Sequence, residues 1–359
     1  MRIGLIIVCV MTLCASARAE PRAYKDKAFT EFFRRTNGWV SGDGAISVPV
    51  SDGRVLWLFG DSHLDDYDPK TKTTPCLFQS RNAALLQKSK SNLRDAETLR
   101  SYGPIFWSWF KNTTNNDLWL WPLCGFQNNE TIYVYLCGMK KTGEGAWGFG
   151  SVGHDYWGKV DFPSMKIIDY VPLPSFTGVQ MGQGFVADND WVYAFGSKAH
   201  KLSSDVIVAR FKANQPTQWT FWNGTNWNGQ CTDVAAVGKA NVGVHVCYVR
   251  GKYVLTSGAF SVACDQGREV FMATSDKPTG PFTALKKVWT LDDTYKGHYP
   301  FYYIPQAHPE FVNDRNEILV TYSINGYDPK VPECQDGRAI PDHYRPKAIR
   351  VPLTIIGIK

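Results

Sequence analysis

The sequence predicts an all-β chain folded as a five-bladed β-propeller, and three observations carry that reading. Aromatic residues make up 14% of the chain beside 31 glycines, and few segments repeat apolar residues at the helical period, a balance that favours short strands joined by turns. Five segments share a polar turn followed by a β-branched and aromatic run: GRVLWLFGDS from Gly53, ETIYVYLCGM from Glu130, NDWVYAFGSK from Asn189, GKYVLTSGAF from Gly251 and NEILVTYSIN from Asn316. Each is preceded by a second strand-like piece, respectively AISVPV, LCGFQN, GQGFVA, VGVHVCYV and HPEFVN. The repeating unit is therefore a hairpin within a longer multi-stranded stretch, which is the signature of propeller blades whose radial sheets protect one another's edges. A β-sandwich also uses short regular strands, but it gives no reason for five similar hairpins.

Taken in chain order, Met1 and Arg2 lead into the apolar run Ile3 to Met11, and Ala17-Arg18-Ala19 supplies an A-x-A cleavage site. Residues 1–19 read as a secretory signal peptide, and residues 20–359 as a single propeller domain, secreted or periplasmic. No later apolar stretch is long enough for a membrane span. The stretch LLQKSKSNLRDAETLRSYG, from Leu85 to Gly103, fits either a short helix or an outer strand with its loop. Formal charge is +6, with no basic run or Lys/Arg stripe of the kind that binds nucleic acid. After the leader, Cys76, Cys124, Cys137, Cys231, Cys247, Cys264 and Cys334 remain at scattered spacings. Export permits at least one disulfide among them, with connectivity open, and no His/Cys spacing suggests zinc.

The first hairpin carries the candidate chemistry. In SGDGAISVPVSDGRVLWLFGDS, from Ser41 to Ser62, a three-residue turn Ser51-Asp52-Gly53 places glycine where the backbone turns left-handed. Val50 then faces Arg54, and continuing that register sets Asp43 directly opposite Asp61, on one face and at one end of the pair. Opposed Cβ atoms lie about 4.5–5.5 Å apart, where like charges destabilise a sheet. Folding alone would not choose such a pair, whereas proximity splits two proton affinities into an acid and a nucleophile or base. A separation of about 5–5.5 Å suits a retaining glycosidase, and about 6.5–9.5 Å an inverting one. Asp-Gly and Gly-Asp are also ordinary turn dipeptides, and paired carboxylates can chelate Ca²⁺.

The block GWVSGDGAISVPVSDGRVLWLFGDS, with RNAALLQ from Arg81, EVFMATSDKPTGPF from Glu269 and AHPEFVNDRNEILVTYSING from Ala307, resembles secreted five-bladed propellers long grouped as domains of unknown function, some recognised as endo-D-arabinanases. It is also similar to the wider arabinanase and β-xylosidase class of glycoside hydrolases. The resemblance covers most of the mature chain, although only the Asp43 to Asp61 block is specific. It implies that Asp43 and Asp61 are the catalytic pair and that the substrate is a furanoside-containing polysaccharide or oligosaccharide.

Positional logic extends the site. Asn82 opens the third strand and is expected near Asp61, while Gln183, His245, His308 and Asn325 are expected around the same central mouth, with Glu310 close behind. Trp57, Trp121 and Tyr322 are available as sugar platforms, core packing being the commoner fate of any one aromatic. Glu310 is the main rival for the acid role, and His308 has no second histidine at ligand spacing. No cofactor or metal is expected. Two classes of function stay open at this point: a hydrolase, either retaining through the aspartate pair or inverting with an acid on another blade, and a carbohydrate-binding or scaffold propeller without chemistry.

Overall fold

The computed structural model describes residues 20–100, 108–111, 118–143, 148–326 and 334–359. The expected signal peptide lies outside the described residues. Five antiparallel sheets follow one another along the chain. Blade 1 comprises Trp39–Pro49, Val55–Leu64, Ala83–Gln87 and Ala96–Leu99, and blade 2 Leu118–Asn128, Thr131–Lys141, Phe149–Asp161 and Ile167–Pro172. Blade 3 is built on Phe185–Asp188, Trp191–Ala199, Ser204–Lys212 and Thr220–Trp222, and blade 4 on Val242–Val249, Lys252–Gly258, Glu269–Ser275 and Lys286–Thr290. Blade 5 runs Phe301–His308, Glu317–Asn325 and Lys347–Pro352, and its outermost strand is Tyr24–Lys25 from the other end of the chain.

That last pairing, Tyr24 to Arg350 and Lys25 to Ile349, closes the ring. Beside it the helix Lys27–Phe32, capped by Asp26 accepting from the Phe29 amide, drives Phe29, Phe32 and Phe33 into the seam between blades 1 and 5. A disulfide joins Cys76 to Cys334, and Thr74–Pro75 pairs with Arg338–Ala339 next to it. The long loops of the first and last blades are thus fastened to each other.

The packing separates a propeller from a sandwich. Each pair of neighbouring blades buries its own apolar cluster: Ile46, Val48 and Leu58 with Ile132 and Val134 between blades 1 and 2; Tyr135 and Trp157 with Ile207 and Phe211 between 2 and 3. Phe195 and Val208 meet Val246 and Leu255 between 3 and 4, and Val254 and Met272 meet Ile318 and Val320 between 4 and 5. Alternate side chains of the inner strands go to opposite neighbours, and among the described residues the buried apolar side chains gather in these seams and not in one central core.

All five expected inner hairpins form, with one displacement. In blade 5 the inner strand is Phe301–His308, and Pro309–Phe311 is a 3₁₀ turn. The proline at 309 ends the strand because its nitrogen has no hydrogen for a ladder, so HPEFVN is the exit of that strand and not the strand itself. The Leu85 to Gly103 stretch holds strands where it is described, not a helix. Among the described residues no helix is long and apolar enough to cross a membrane.

Candidate active site

The turn at Ser51-Asp52-Gly53 forms as the sequence predicts: the Val50 amide donates to Arg54 O, the Gly53 amide to Val50 O, and Gly53 has φ 90°. From Pro49 opposite Val55 to Ile46 opposite Leu58 the register is the expected one, and it returns at Gly42 opposite Ser62. Between these points it breaks twice, because Gly44 pairs with Phe59. One strand carries an extra residue at Ala45 and the other an extra residue at Gly60 and Asp61, so two bulges cancel. Gly44 and Ala45 both take positive φ, 99° and 51°, and the Gly44 amide donates to Ser323 Oγ of blade 5 at 3.0 Å.

The bulges correct the expected geometry. Asp43 and Asp61 share one end of the hairpin but not one face. Asp43 turns toward blade 5, where Tyr303 donates to its Oδ2 at 2.9 Å and Tyr344 also hydrogen-bonds to it. Asp61 turns toward blade 2, accepting from Trp121 Nε1 at 3.2 Å and from Arg81 at 3.3 and 3.4 Å. Direct opposition was the reason for expecting retention, and that reason falls with it.

The two carboxyls remain electrostatically linked. Burial raises Asp43 to about 6, against the pull of the Tyr303 and Tyr344 hydroxyls. Burial and then the charge of Asp43 raise Asp61 to about 7, with Arg81 and Trp121 opposing. Asp61 is only 5% exposed, and desolvation of a carboxylate outweighs one guanidinium at more than 3 Å. Arg81 is held in place by stacking on Trp119 at 4.2 Å and Phe78 at 5.1 Å. A mouth with aromatic walls, one acid tending to keep its proton and another tending to lose it can perform acid–base chemistry on a neutral, hydroxyl-rich ligand.

The other expected residues divide. Trp121 is at the site. Asn325 is near it, its Nδ2 3.5 Å from Tyr303 Oη. Gln183 precedes the inner strand of blade 3 with its Oε1 buried and unpartnered. Asn82 is not a sugar ligand: it is buried, its amide spends both donors on Phe110 O and Leu120 O and its oxygen accepts from the Phe110 amide, each at 2.8 Å, which ties blade 1 to blade 2. Trp57 and Tyr322 are core residues, Trp57 bonded to Gln87 Oε1 and Tyr322 to Asp293. His308 sits mid-channel between Ser47 Oγ at 2.6 Å and Thr321 Oγ1 at 2.8 Å. His245 and Glu310 line a cavity with the hairpin tips Ser51 and Asn129, at the opposite mouth from Asp43. Ser47 lies four positions beyond Asp43 toward the Ser51 turn, so Glu310, whose carboxyl faces the Ser47 hydroxyl, belongs to the turn end of the hairpin and is no partner for the pair.

Tyr303, Tyr344 and Arg81 are the residues the sequence reading missed. The signals for two of them are local: Arg81 directly precedes Asn82, and Tyr303 lies on the inner strand of blade 5, upstream of HPEFVN.

The chain belongs to the family described as domain of unknown function DUF5005, whose profile matches residues 26–353. No curated protein matches it in sequence. Among solved structures it is similar to a Bacteroides ovatus protein whose hydrolase assignment is provisional, with TM-score 0.75, 18% identity, and 94% of this chain and 92% of that one covered. Fainter likenesses reach an exo-β-1,3-galactanase from Phanerochaete chrysosporium, at TM-score 0.49 and 13% identity over 88% of this chain and 61% of that one. An α-L-arabinofuranosidase from Clostridium thermocellum follows at TM-score 0.42 and 14% identity, over 86% and 88%. The first shows the fold; the weaker two carry no argument, and activity rests on the site.

Proposed function

We propose that the protein is an exported glycoside hydrolase of furanoside-containing polysaccharide, arabinan among the candidates, in which Asp61 is the proton donor and Asp43 its anionic partner. The observation that carries the reading is the pair itself: two carboxyls at one mouth, both with raised proton affinity and the higher one on Asp61. As the glycosidic bond breaks, Asp61 gives its proton to the leaving oxygen and Asp43 supplies the electron pair, to the anomeric carbon in a retaining reaction or to the proton of a water in an inverting one. Tyr303 and Tyr344 fix the Asp43 carboxylate without neutralising it, and the half-buried Trp121 offers flat apolar surface for a sugar ring. Arg81 beside Asp61 disfavours a divalent cation there, which weighs against reading the pair as a Ca²⁺ site.

A binding-only propeller remains the second reading, favoured by nothing specific at this mouth, since sugar hydroxyls can be held without two carboxyls competing for protons. The test is digestion of plant and mycobacterial arabinans by wild type and Asp61→Asn. Turnover lost with glycan binding retained supports the hydrolase; wild type that binds but never cleaves overturns it. Proton NMR of the first anomer released separates retention from inversion.

A further inference from the structure

The opposite mouth of the central channel opens into a cavity of about 620 Å³, to which every blade contributes: Ser51, Gln127, Ala187, Cys247 and Glu310 in blade order. Its size is that of a small-molecule site. The Glu310 side chain is 4% exposed, and neither of its carboxylate oxygens has a hydrogen-bond partner. A buried polar group without a partner is costly, and in a native fold it calls for an explanation.

Burial raises the proton affinity of Glu310, with the Ser47 hydroxyl and the residue's own backbone amide only partly opposing it. His308 Nδ1 is 3.9 Å from Oε1, beyond hydrogen-bond reach, and is engaged with Ser47, whose hydroxyl is the one bearing on the Glu310 carboxyl. Burial keeps His308 and His245 neutral, His245 lowered to about 4. The Cys124 thiol is pushed up to about 12 and that of Cys247 is raised as well, so both stay protonated. Lys90 acts on Glu310 only through its field and does not line the cavity. No lysine or arginine lines it either. Among the described residues no three metal-ligating side chains are placed to share a metal ion.

We propose that this cavity is a second binding site, and that it takes a small primary ammonium compound whose nitrogen donates to both oxygens of Glu310 while its carbon body lies against Phe126 and Phe185. Two carboxylate oxygens with no partner at hydrogen-bond distance call for a ligand with several N–H donors, and an acid that burial penalises when charged, in a cavity without lysine or arginine, is held as its anion by a positive one. Aromatic lining suits a cation bound to a short apolar body. A quaternary ammonium meets the charge but not the hydrogen bonds, and an anion meets neither.

The probe is n-butylammonium, titrated calorimetrically into the full chain at pH 8, with 1-butanol and tetramethylammonium as comparisons. Expected are saturable binding of n-butylammonium alone, at least about tenfold weaker in Glu310→Gln, and weakening as acid protonates Glu310. Ala187 is exposed at the rim, so Ala187→Trp narrows the entrance without entering a core, and it too abolishes binding; it decides the matter should Glu310→Gln not fold. Absence of saturable binding to wild type, equal binding of 1-butanol or tetramethylammonium, or undiminished binding in a folded Glu310→Gln or in Ala187→Trp overturns the proposal.

Discussion

The carboxylate of Asp43 occupies the space that a side chain on Gly60 would fill. A Cβ built on Gly60 would overlap Asp43 Oδ1 and lie 3.5 Å from its Cγ. The glycine therefore lets an acid from one strand lie across the backbone of the other, next to Asp61.

Gly60→Ala is expected to fold, because Gly60 has no positive φ to lose, and to displace Asp43 from Tyr303. Hydrolysis should fall by about 10²-fold, the cost of misplacing a catalytic group by about 1 Å. Steady-state rates beside circular dichroism check it; near-wild-type rates in the variant would remove Asp43 from the mechanism.

Asp43→Asn and Asp61→Asn should each lower kcat by about 10²–10⁴-fold, the range of general acid–base catalysis. Either variant that kept more than about a tenth of the wild-type rate would exclude its residue from that role. Both should also be more thermostable above neutral pH. A carboxyl with a raised folded pKa binds its proton more tightly folded than unfolded, so its contribution is favourable at low pH and lost as pH rises through the folded value. For Asp61 that window runs from 3.8 to about 7. The Tm advantage of Asp61→Asn over wild type should accordingly be near zero at about pH 4 and largest above about pH 7, as a melting series would show.

The pH dependence of kcat/KM should be a narrow bell. Activity needs Asp43 ionised, giving a rising limb near about 6, and Asp61 protonated, giving a falling limb near about 7. Because the two charges interact, the limbs belong to the pair. A flat profile between those values would argue against assigning the roles to these acids.

Arg81 opposes the protonation of Asp61. Arg81→Met keeps an apolar stem against Trp119 and removes the charge, so the alkaline limb should move up by about one pH unit. Movement in the other direction would mean that Arg81 does not act on Asp61 electrostatically.

The Cys76 to Cys334 disulfide spans 258 residues and ties the loop carrying Phe78 and Arg81 to the one carrying Tyr344. Replacing both cysteines by serine should cost about 2–5 kcal/mol of stability, read from denaturant unfolding. It should also raise KM, since both loops contribute to the mouth.

The blades, the turn that opens the first hairpin and the two acids at its far end are legible in the residues alone. These are local facts: a three-residue turn with glycine sets a register, and alternation along a strand sets two apolar faces. Where the side chains go once that register is interrupted depends on the folded ring. The paired bulges at Ala45 and Gly60 leave no trace in the alternation, because one cancels the other within a few residues. They are held by contacts from elsewhere, the Gly44 amide on Ser323 and the Asp43 carboxylate on Tyr303. Asn82 is expected beside Asp61 from its place in the chain, yet the carbonyls of Phe110 and Leu120, 28 and 38 residues away, claim its amide. Glu310 falls away from the acids because the strand ends at His308 and Pro309 begins a turn. Partners drawn from different blades meet only when the ring closes, and a linear pattern holds no information about which neighbour a side chain will find across a seam.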